Sequence, residues 1–180
     1  MRQAFSRVPT SIAVAAAHVG GRAVGMAIGS FTTISLDPGI VQFSVQTTSN
    51  TWPLLLESLQ IGISVLAEQH RDVVRQFSGP ADKRLDDVRW HATDGNAVLV
   101  EGASAHFIGS ILRVIPVGDH FVALLDVTHC AVIEEPVSPL VFHESRVDSL
   151  PPFWEPVRLN HDNDQQHVLR EHVGNGASRS

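Results

Sequence analysis

The most informative stretch of this chain reads Gly25-Met26-Ala27-Ile28-Gly29-Ser30-Phe31-Thr32-Thr33-Ile34-Ser35-Leu36-Asp37-Pro38. Two β-prone segments rich in small residues meet at Gly29-Ser30, and Asp37-Pro38-Gly39 signals a turn. The apolar run 40–45 follows the turn and ends in a hydroxyl-rich cluster before Trp52-Pro53. The stretch therefore predicts a strand, a turn and a second strand, and then a loop that opens a helix with proline near its first position.

The same kinds of pattern extend over the rest of the chain and predict a mainly β protein. Val, Ile and Phe dominate the apolar segments, and glycine-containing turns at 19–21 and 118–120 join neighbouring segments as hairpins. The predicted strands cover residues 11–17, 22–34, 40–46, 61–66, 98–100, 103–117, 121–133 and 140–143. The predicted helices are short and cover residues 2–7, 51–58 and 69–77, and residues 82–94 are predicted to be a loop. The natural arrangement for these elements is a closed or split antiparallel barrel.

Length and composition limit the classes of protein to which the chain can belong. Its 180 residues are 43% hydrophobic, enough for one packed domain, which we place at residues 1–159. The polar segment 160–180 is expected to be a mobile or partly helical tail. The formal net charge of −6 and the lack of a large basic stretch argue against nucleic acid as a partner.

Cysteine usage and hydropathy favour a cytoplasmic protein. The single cysteine, Cys130, excludes an intrachain disulfide framework and fits a reducing compartment. Because Cys130 lies in the apolar run 124–133, we expect a buried and inert thiol. No run of about 18 apolar residues is present, so we expect no membrane-spanning helix and no membrane association. The apolar run 12–17 is short for the core of a signal peptide.

Two segments are candidates for a binding site on physical grounds alone. Small residues on the strand around Gly29 would let a flat ring approach the backbone closely, although a plain barrel strand packed with small residues fits as well. The cluster Thr48-Ser49-Asn50-Thr51 offers several hydrogen-bond donors at a predicted helix start, which suits a phosphate. The alternative is an ordinary helix cap, for which Ser, Asn and Thr are all well suited. Each segment alone leaves both interpretations open.

Taken together and in this order, the two segments resemble the flavin reductase-like family, whose FMN-binding split barrel begins in this way. The family pattern Gly-Met-Thr-x-Ser-Ser-Phe corresponds to residues 25–31, with Ala27 and Gly29 in place of two hydroxyl residues. Each lost side-chain hydrogen bond would cost about 1 kcal/mol, while backbone contacts to the flavin ring would remain. The family segment Ser-Ser-Ser-Thr-Trp-Pro, which cradles the flavin phosphate, corresponds to residues 48–53, and Thr47 replaces the usual preceding basic residue.

Two further motifs extend the resemblance. The family pattern Arg-Phe-Ala-x-Pro-x-x-Asp-Arg/Lys-Phe is matched by residues 75–83, in which Phe77 would flank the flavin and Lys83 would neutralise negative charge. Arg84 stands where an aromatic residue is common in the family. The turn Gly118-Asp119-His120 matches the family turn that places an imidazole beside the nicotinamide, where it would help to orient the hydride donor. Without the resemblance, the charged residues would be an ordinary solvated run and the turn an ordinary hairpin.

The resemblance covers residues 5–150 and implies an NAD(P)H-dependent flavin reductase on a mainly β, antiparallel split β-barrel with a few short helices. It also implies a homodimer with FMN or FAD at the subunit interface, which would supply reduced flavin to a partner monooxygenase. His120 would be the catalytic residue. The implied flavin-binding residues are Met26, Ala27, Ile28, Gly29, Ser30, Thr48, Ser49, Asn50, Thr51, Phe77 and Lys83. Residues 140–150 lack the glycine and second aromatic residue of the family's C-terminal motif, and the chain contains no tyrosine.

Two other functions remain open on the sequence. A flavin-dependent oxidase or oxygenase could use the same scaffold with its substrate in the nicotinamide position. A non-catalytic flavin-binding protein would fit the missing hydroxyl groups and the altered C-terminal segment. No His-Glu-x-x-His spacing indicates a metal site, and no G-x-G-x-x-G fingerprint indicates a Rossmann nucleotide site.

Overall fold

The computed structural model describes residues 2–133 and 137–151. In chain order the strands are β1 Thr10–Ser11, β2 Ala13–Val19, β3 Arg22–Ile28, β4 Thr32–Leu36, β5 Gly39–Gln46, β6 Ile61–Val65, β7 Trp90–Ala92, β8 Val98–Val100, β9 Ala105–Val117, β10 His120–Val132, β11 Leu140–His143 and β12 Arg146–Ser149. The helices are α1 Arg2–Phe5 and α2 Trp52–Leu55, and two 3₁₀ segments cover Glu68–His70 and Val74–Ser78.

The largest antiparallel sheet curls into a split barrel. Its strand order is β3-β2-β6-β9-β10-β5-β4, so the two edge strands follow one another in the chain. Only residues 29–31 separate them, and this short connection requires the two edges of the sheet to come together. Ser30 fixes this connection to β5, the neighbour of the edge strand β4, because its hydroxyl donates to the Ser44 carbonyl oxygen at 3.1 Å and accepts from the Ser44 N–H at 2.7 Å. The predicted mainly β, antiparallel fold is confirmed.

An apolar core fills the barrel and follows from the alternation of side chains along each strand. On β5 the inward side chains of Val41, Phe43 and Val45 are buried, while the residues between them are partly exposed. Trp52 and Leu55 of α2 pack into the same core, with the Trp52 ring edge-on to Phe43 at a centroid distance of 5.8 Å. The short helix α2 is therefore fixed to the barrel, and the polar residues before it are fixed with it.

A second apolar core covers the outer face of β2. Residues 13–17 are all fully buried because alternate side chains enter the two cores. Phe77 and Leu85 reach the second core from the segment that crosses the outside of the barrel. That segment leads into β7 and β8, and a Cβ atom at Gly62 of β6 would clash with the Val98 carbonyl oxygen. Glycine at position 62 thus permits the close packing of β8 on the barrel.

The hairpin β11–β12 pairs with β1 in a small three-stranded sheet and is held by Arg71. The Arg71 Nε and Nη2 atoms donate to the Glu68 carboxylate at 2.7 and 2.9 Å, and Nη1 donates to the Val147 carbonyl oxygen at 2.6 Å. The hydrogen bond from Arg71, followed by one from Ser149, lowers the pKa of Glu68 from 4.5 to about 2. The C-terminal hairpin is therefore tied to the first 3₁₀ segment by a charged clamp.

The structure corrects two predicted elements. The predicted strand 22–34 is two strands, because residues 29–31 leave β2 to cross between the sheet edges. The predicted helix 69–77 is wrong, since the chain forms two 3₁₀ segments there instead. His70 anchors the first of them, with Nδ1 accepting from the Ala67 N–H at 3.1 Å and Nε2 bonded to the Glu101 carbonyl oxygen at 2.9 Å. The bond to Glu101 fixes this segment beside the end of β8.

Two further predictions are wrong in part. Residues 82–94 are not a loop throughout, because β7 pairs with β8 at their end. Cys130 is exposed rather than buried. β10 pairs with β5 only as far as Asp126 and then with β9 alone, so residues 128–133 extend past the core.

No helix in the described ranges, 2–133 and 137–151, is long and apolar enough to cross a bilayer. The predicted domain boundary at residue 159 and the predicted tail at 160–180 lie outside the described residues.

Candidate active site

A cleft of about 720 Å³ opens where β3, the end of β5, the start of β10 and the segment 77–84 meet. It is lined by Met26, Ala27, Ile28, Gly29, Ser30, Ser44, Val45, Gln46, Thr48, Ser49, Asn50, Thr51, Phe77, Gly79, Pro80, Ala81, Arg84 and His120. All the residues predicted for the site line this cleft except Lys83, which is exposed outside it. The barrel thus brings together predicted residues that four separate segments of the chain supply.

β3 and the junction after it form one wall of the cleft. β3 is an edge strand that pairs with β2 on one side, so its other side carries backbone groups without a strand partner in the described chain. Met26 and Ile28 are buried, whereas Ala27 and Gly29 are exposed. The small side chains at these exposed positions leave the strand edge open to a planar ligand.

The polar cluster 48–51 forms the second wall, and its members have different roles. The Ser49 Oγ accepts a hydrogen bond from the Trp52 N–H at 3.2 Å and so caps α2. Thr51 does not cap the helix with its side chain, although it is the residue directly before it. Thr48 and Asn50 are exposed at the cleft. One hydroxyl therefore caps the helix, as the helix-cap interpretation predicts, and the other polar residues of the cluster line the cleft.

Phe77 and Arg84 form the third wall. Phe77 is buried in the second apolar core and also lines the cleft. The Arg84 Nη1 donates to the Thr51 Oγ1 at 3.1 Å, and its Nε donates to the Gly79 carbonyl oxygen at 3.0 Å. The guanidinium therefore connects the segment 77–84 with the polar cluster.

Arg84 is the charged residue of the cleft that the sequence did not single out. The other lining residues that were not predicted are Ser44, Val45, Gln46, Gly79, Pro80 and Ala81. The Gln76 Nε2 donates to the Lys83 carbonyl oxygen at 3.0 Å. Leu85, two residues after Lys83, is buried in the second apolar core. These contacts set the orientation of the turn and direct Arg84, rather than Lys83, into the cleft. The available signal was the replacement of a common aromatic residue by arginine at position 84.

His120 lies at the end of the cleft, on the first residue of β10. Gly118 adopts a φ of +60°, which glycine tolerates and which closes the tight turn before the strand. The His120 Nδ1 lies 2.7 Å from the Asp119 Oδ1, and this hydrogen bond lowers the pKa of Asp119. With Nδ1 engaged by the carboxylate, Nε2 is the ring nitrogen that has no hydrogen-bond partner among the described residues.

Thr47 anchors the turn that carries His120. Its N–H and its hydroxyl both donate to the Asp119 carbonyl oxygen, at 3.0 and 3.2 Å. Position 47, where the resemblance leads us to expect a basic residue, therefore has a structural role here.

A second groove of about 990 Å³ adjoins the cleft along the same stretch of β3, residues 27–29. It lies between β3 and the C-terminal hairpin, and Arg71, Arg75, Phe142 and Arg146 are among its lining residues. Within the described part of the chain, no three His, Cys, Asp or Glu side chains gather as metal ligands would.

The sequence and the fold can be compared with known proteins. The chain is 29% identical over 143 residues to a flavin reductase of Pseudomonas putida, covering 79% of this chain and 84% of that protein. It is 29% identical over 149 residues to an NADH:FMN oxidoreductase of Rhodococcus qingshengii, covering 81% and 78% of the two chains. The structure of the styrene monooxygenase flavin reductase of Pseudomonas putida S12 matches with a TM-score of 0.76 and 30% identity, covering 84% and 97%.

These similar proteins share one class, because each is named as an enzyme that reduces flavin. The sequence model described as a flavin reductase like domain matches residues 5–151. The chain belongs to this family, and the resemblance inferred from its motifs is confirmed.

Proposed function

We propose that this protein is an NAD(P)H-dependent flavin reductase that binds FMN or FAD in the cleft beside β3. The observation that carries the proposal is the convergence of the predicted segments, 26–30, 48–51, Phe77 and His120, on one cleft. Its volume of about 720 Å³ lies within the range of about 300–1,000 Å³ that is usual for ligand sites. The names of the similar proteins support the same activity.

The lining groups fit a flavin. A ring could lie against the open edge of β3 at Ala27 and Gly29, where unpaired backbone groups can hydrogen-bond its polar rim. The hydroxyl and amide groups of residues 48–51 offer donors to the phosphate end. When bound, the flavin supplies the hydride acceptor N5 and the nicotinamide supplies the hydride from C4. The protein provides the alignment of the two rings, which is a proximity effect.

In this proposal His120 positions the nicotinamide. Its Nε2 is free to accept a hydrogen bond from the carboxamide N–H, and Asp119 holds the ring in place from the other side. The rest of the dinucleotide could extend into the second groove, where Arg75 and Arg146 carry positive charge. His120 therefore binds and orients, and no proton transfer is required of it.

We also propose that the protein is a homodimer that uses the outer face of β9 and β10. Residues paired across antiparallel strands share a face, and Val122 pairs with Ile115 while His120 pairs with Val117. Ile115 and Val117 are 38% and 54% exposed, a large fraction for such side chains. This apolar face, Ile115, Val117 and Val122, is continuous with the end of the cleft at His120, so a second copy seated on it would complete the site.

The dimer proposal is tested by Ile115→Glu, which places a charge at the centre of the apolar face. Sedimentation velocity should show a dimer for the wild type and a monomer for the variant, with weaker flavin binding by the monomer. Leu59→Glu is the matched control, because Leu59 is 79% exposed elsewhere on the surface. A monomeric wild type, or an Ile115→Glu variant that stays dimeric, would contradict the proposed interface.

We further propose that the reduced flavin serves a partner monooxygenase in the cytoplasm. The match to the reductase of a styrene monooxygenase supports a partner of this kind. The single cysteine supports a reducing compartment.

The proposed activity is tested by mixing the purified protein with FMN or FAD and following the oxidation of NADH and NADPH. The protein should bind flavin and catalyse oxidation of at least one dinucleotide at a rate that depends on flavin concentration. Flavin binding without dinucleotide oxidation would instead favour an oxidase or a flavin carrier. Failure to bind either flavin would exclude all three functions.

A further inference from the structure

The second groove carries an excess of positive charge. The described residues that line it include three arginines, Arg71, Arg75 and Arg146, and a single carboxylate, Asp72. The groove and the cleft share residues 27–29 of β3, so the two cavities meet along this strand. A cationic groove beside the proposed flavin site favours an anionic part of the second substrate, the dinucleotide.

Arg71 is committed to the fold and is not available to a ligand. Its guanidinium donates to both oxygens of the Glu68 carboxylate, to the Val147 carbonyl oxygen and to the Ser149 Oγ. These hydrogen bonds use four of the five N–H donors of a guanidinium, and the Glu68 carboxylate offsets its charge. Arg71 therefore builds the wall of the groove, and selection of the ligand is left to the other two arginines.

Arg75 and Arg146 keep their charge available. Both are exposed, and no ion pair in the described part of the chain involves either of them. Glu144, the carboxylate two residues before Arg146, is paired with Arg7 instead. The two free guanidiniums outnumber Asp72, so the groove keeps a net positive charge after Arg71 is discounted.

Local structure brings the two cations to one groove. Arg75 lies on the second 3₁₀ segment, two residues before Phe77, so this segment contributes to the groove and to the cleft. Arg146 follows a two-residue turn in which Glu144 and Ser145 have φ values of 49° and 63°. Positive φ at both central residues is what a tight hairpin turn requires. The turn therefore places the start of β12 at the groove.

An aromatic ring accompanies the cations. Phe142 lines the groove and is 44% exposed. It pairs with Val147 across the hairpin, and residues paired in this way share a face, so both line the groove from the same side. An exposed ring offers a stacking surface to a nucleobase. The ring and the two guanidiniums together suit an adenosine that carries a phosphate on its ribose.

We infer that Arg75 and Arg146 bind the 2′-phosphate of NADPH and make this protein prefer NADPH to NADH. This assignment rests on the proposed flavin reductase function, with the nicotinamide at His120 and the adenosine in the second groove. A planar guanidinium matches the oxygens of a phosphate, whereas the hydroxyl of NADH at the same position brings no charge. Preference for NADH would instead call for an acidic side chain that accepts from this hydroxyl, and Asp72 is outnumbered.

The kinetic test compares kcat/KM for NADPH and NADH at saturating FMN in the wild type, Arg75→Met, Arg146→Met and the double variant. The wild type should favour NADPH by about 10-fold or more, the factor expected of one hydrogen bond to a charged group. Each single variant should lower this ratio by about 3-fold or more through a higher KM for NADPH, and the double variant should bring it close to one. Arg22→Met is the matched control and should keep the wild-type ratio, because Arg22 is exposed on β3 but lines neither cavity.

A binding measurement gives a readout that does not depend on hydride transfer. Calorimetry in excess FMN should show that the wild type binds 2′,5′-ADP about 10-fold or more tightly than 5′-AMP, which lacks the 2′-phosphate. The double variant should bind the two nucleotides alike. Arg22→Met should bind them as the wild type does.

A wild type that favours NADH or uses both dinucleotides equally would overturn the inference. The same holds for a double variant that keeps the wild-type ratio, and for an Arg22→Met variant that loses it. Oxidation of neither dinucleotide with either flavin would refute the proposed function itself. In that case the preference for 2′,5′-ADP over 5′-AMP still decides whether Arg75 and Arg146 form a phosphate site.

Discussion

Substituting alanine for His120 should raise the KM for NAD(P)H and leave flavin binding and folding nearly unchanged. The imidazole lies at the end of the cleft, and its side chain is 37% exposed, so its removal opens no cavity in either core. The Nδ1 is held 2.7 Å from the Asp119 Oδ1, which leaves Nε2 as the one ring nitrogen available to the nicotinamide. The substitution therefore removes a single oriented hydrogen bond.

The magnitude follows from that single contact. One hydrogen bond contributes about 0.5–1.5 kcal/mol net, which corresponds to a rise in KM of about 2- to 13-fold. We expect a smaller change in kcat than in KM. The substitution weakens the binding and orientation of the dinucleotide and leaves the bound flavin in place. Asp119→Ala should have a smaller effect in the same direction, since the ring stays but is no longer held.

Steady-state kinetics at saturating flavin measure the effect, with NADH and NADPH varied in turn. His129→Ala is the matched control, because His129 is exposed on the same strand β10 but does not line the cleft. An unchanged KM in His120→Ala would remove this residue from the dinucleotide site. An equal rise in His129→Ala would show that the effect is not local to the cleft.

Three other predictions concern the barrel, the charged clamp and the strand edge. Gly62→Ala should destabilise the protein by about 1–3 kcal/mol in denaturant unfolding, because its Cβ would clash with the Val98 carbonyl oxygen; a wild-type midpoint would contradict the close packing. The pKa of Glu68 is about 2 instead of 4.5, so its pair with Arg71 stabilises the fold fully above pH 4.5 and is lost as the pH falls to 2. Glu68→Gln should therefore flatten the pH dependence of unfolding over that range, and an unchanged slope would refute the clamp. Ala27→Thr should tighten FMN binding by about 5-fold in equilibrium dialysis, because the added hydroxyl would form one hydrogen bond of about 1 kcal/mol. Weaker FMN binding would show that the edge of β3 has no room for the threonine side chain.

Local patterns predicted much of the barrel because turn residues and apolar alternation act over short distances. β5 and β11 match their predicted ranges to within a residue, and the turn at Asp37-Pro38 joins β4 to β5 as expected. The prediction of a helix at 69–77 was wrong, because the apolar spacing of this segment suits a helix but its conformation depends on the tertiary fold. The bonds of His70 to Ala67 and Glu101 belong to that fold. The burial of Cys130 was also predicted wrongly from local sequence. Its apolar neighbours do not reveal that β10 extends beyond the core after its pairing with β5 ends at Asp126.

The candidate site was largely predictable because its motifs retain the family's order. The charged run 82–84 shows where prediction stopped. Sequence alone could not tell which side chain faces the cleft, because the turn is oriented by the burial of Leu85 and by the bond from Gln76 to the Lys83 carbonyl oxygen. The convergence of Arg84 on Thr51 needed the three-dimensional arrangement.

Anaerobic mixing of the flavin-loaded protein with NADH, and separately with NADPH, tests the central claim most directly. In a stopped-flow spectrophotometer the flavin absorbance should bleach with at least one dinucleotide, and the observed rate should rise with dinucleotide concentration and then saturate. Saturation would report a bound complex in which the two rings are held together in the cleft. A flavin that binds to the protein but stays oxidised with both dinucleotides would contradict the claim that this protein is a flavin reductase.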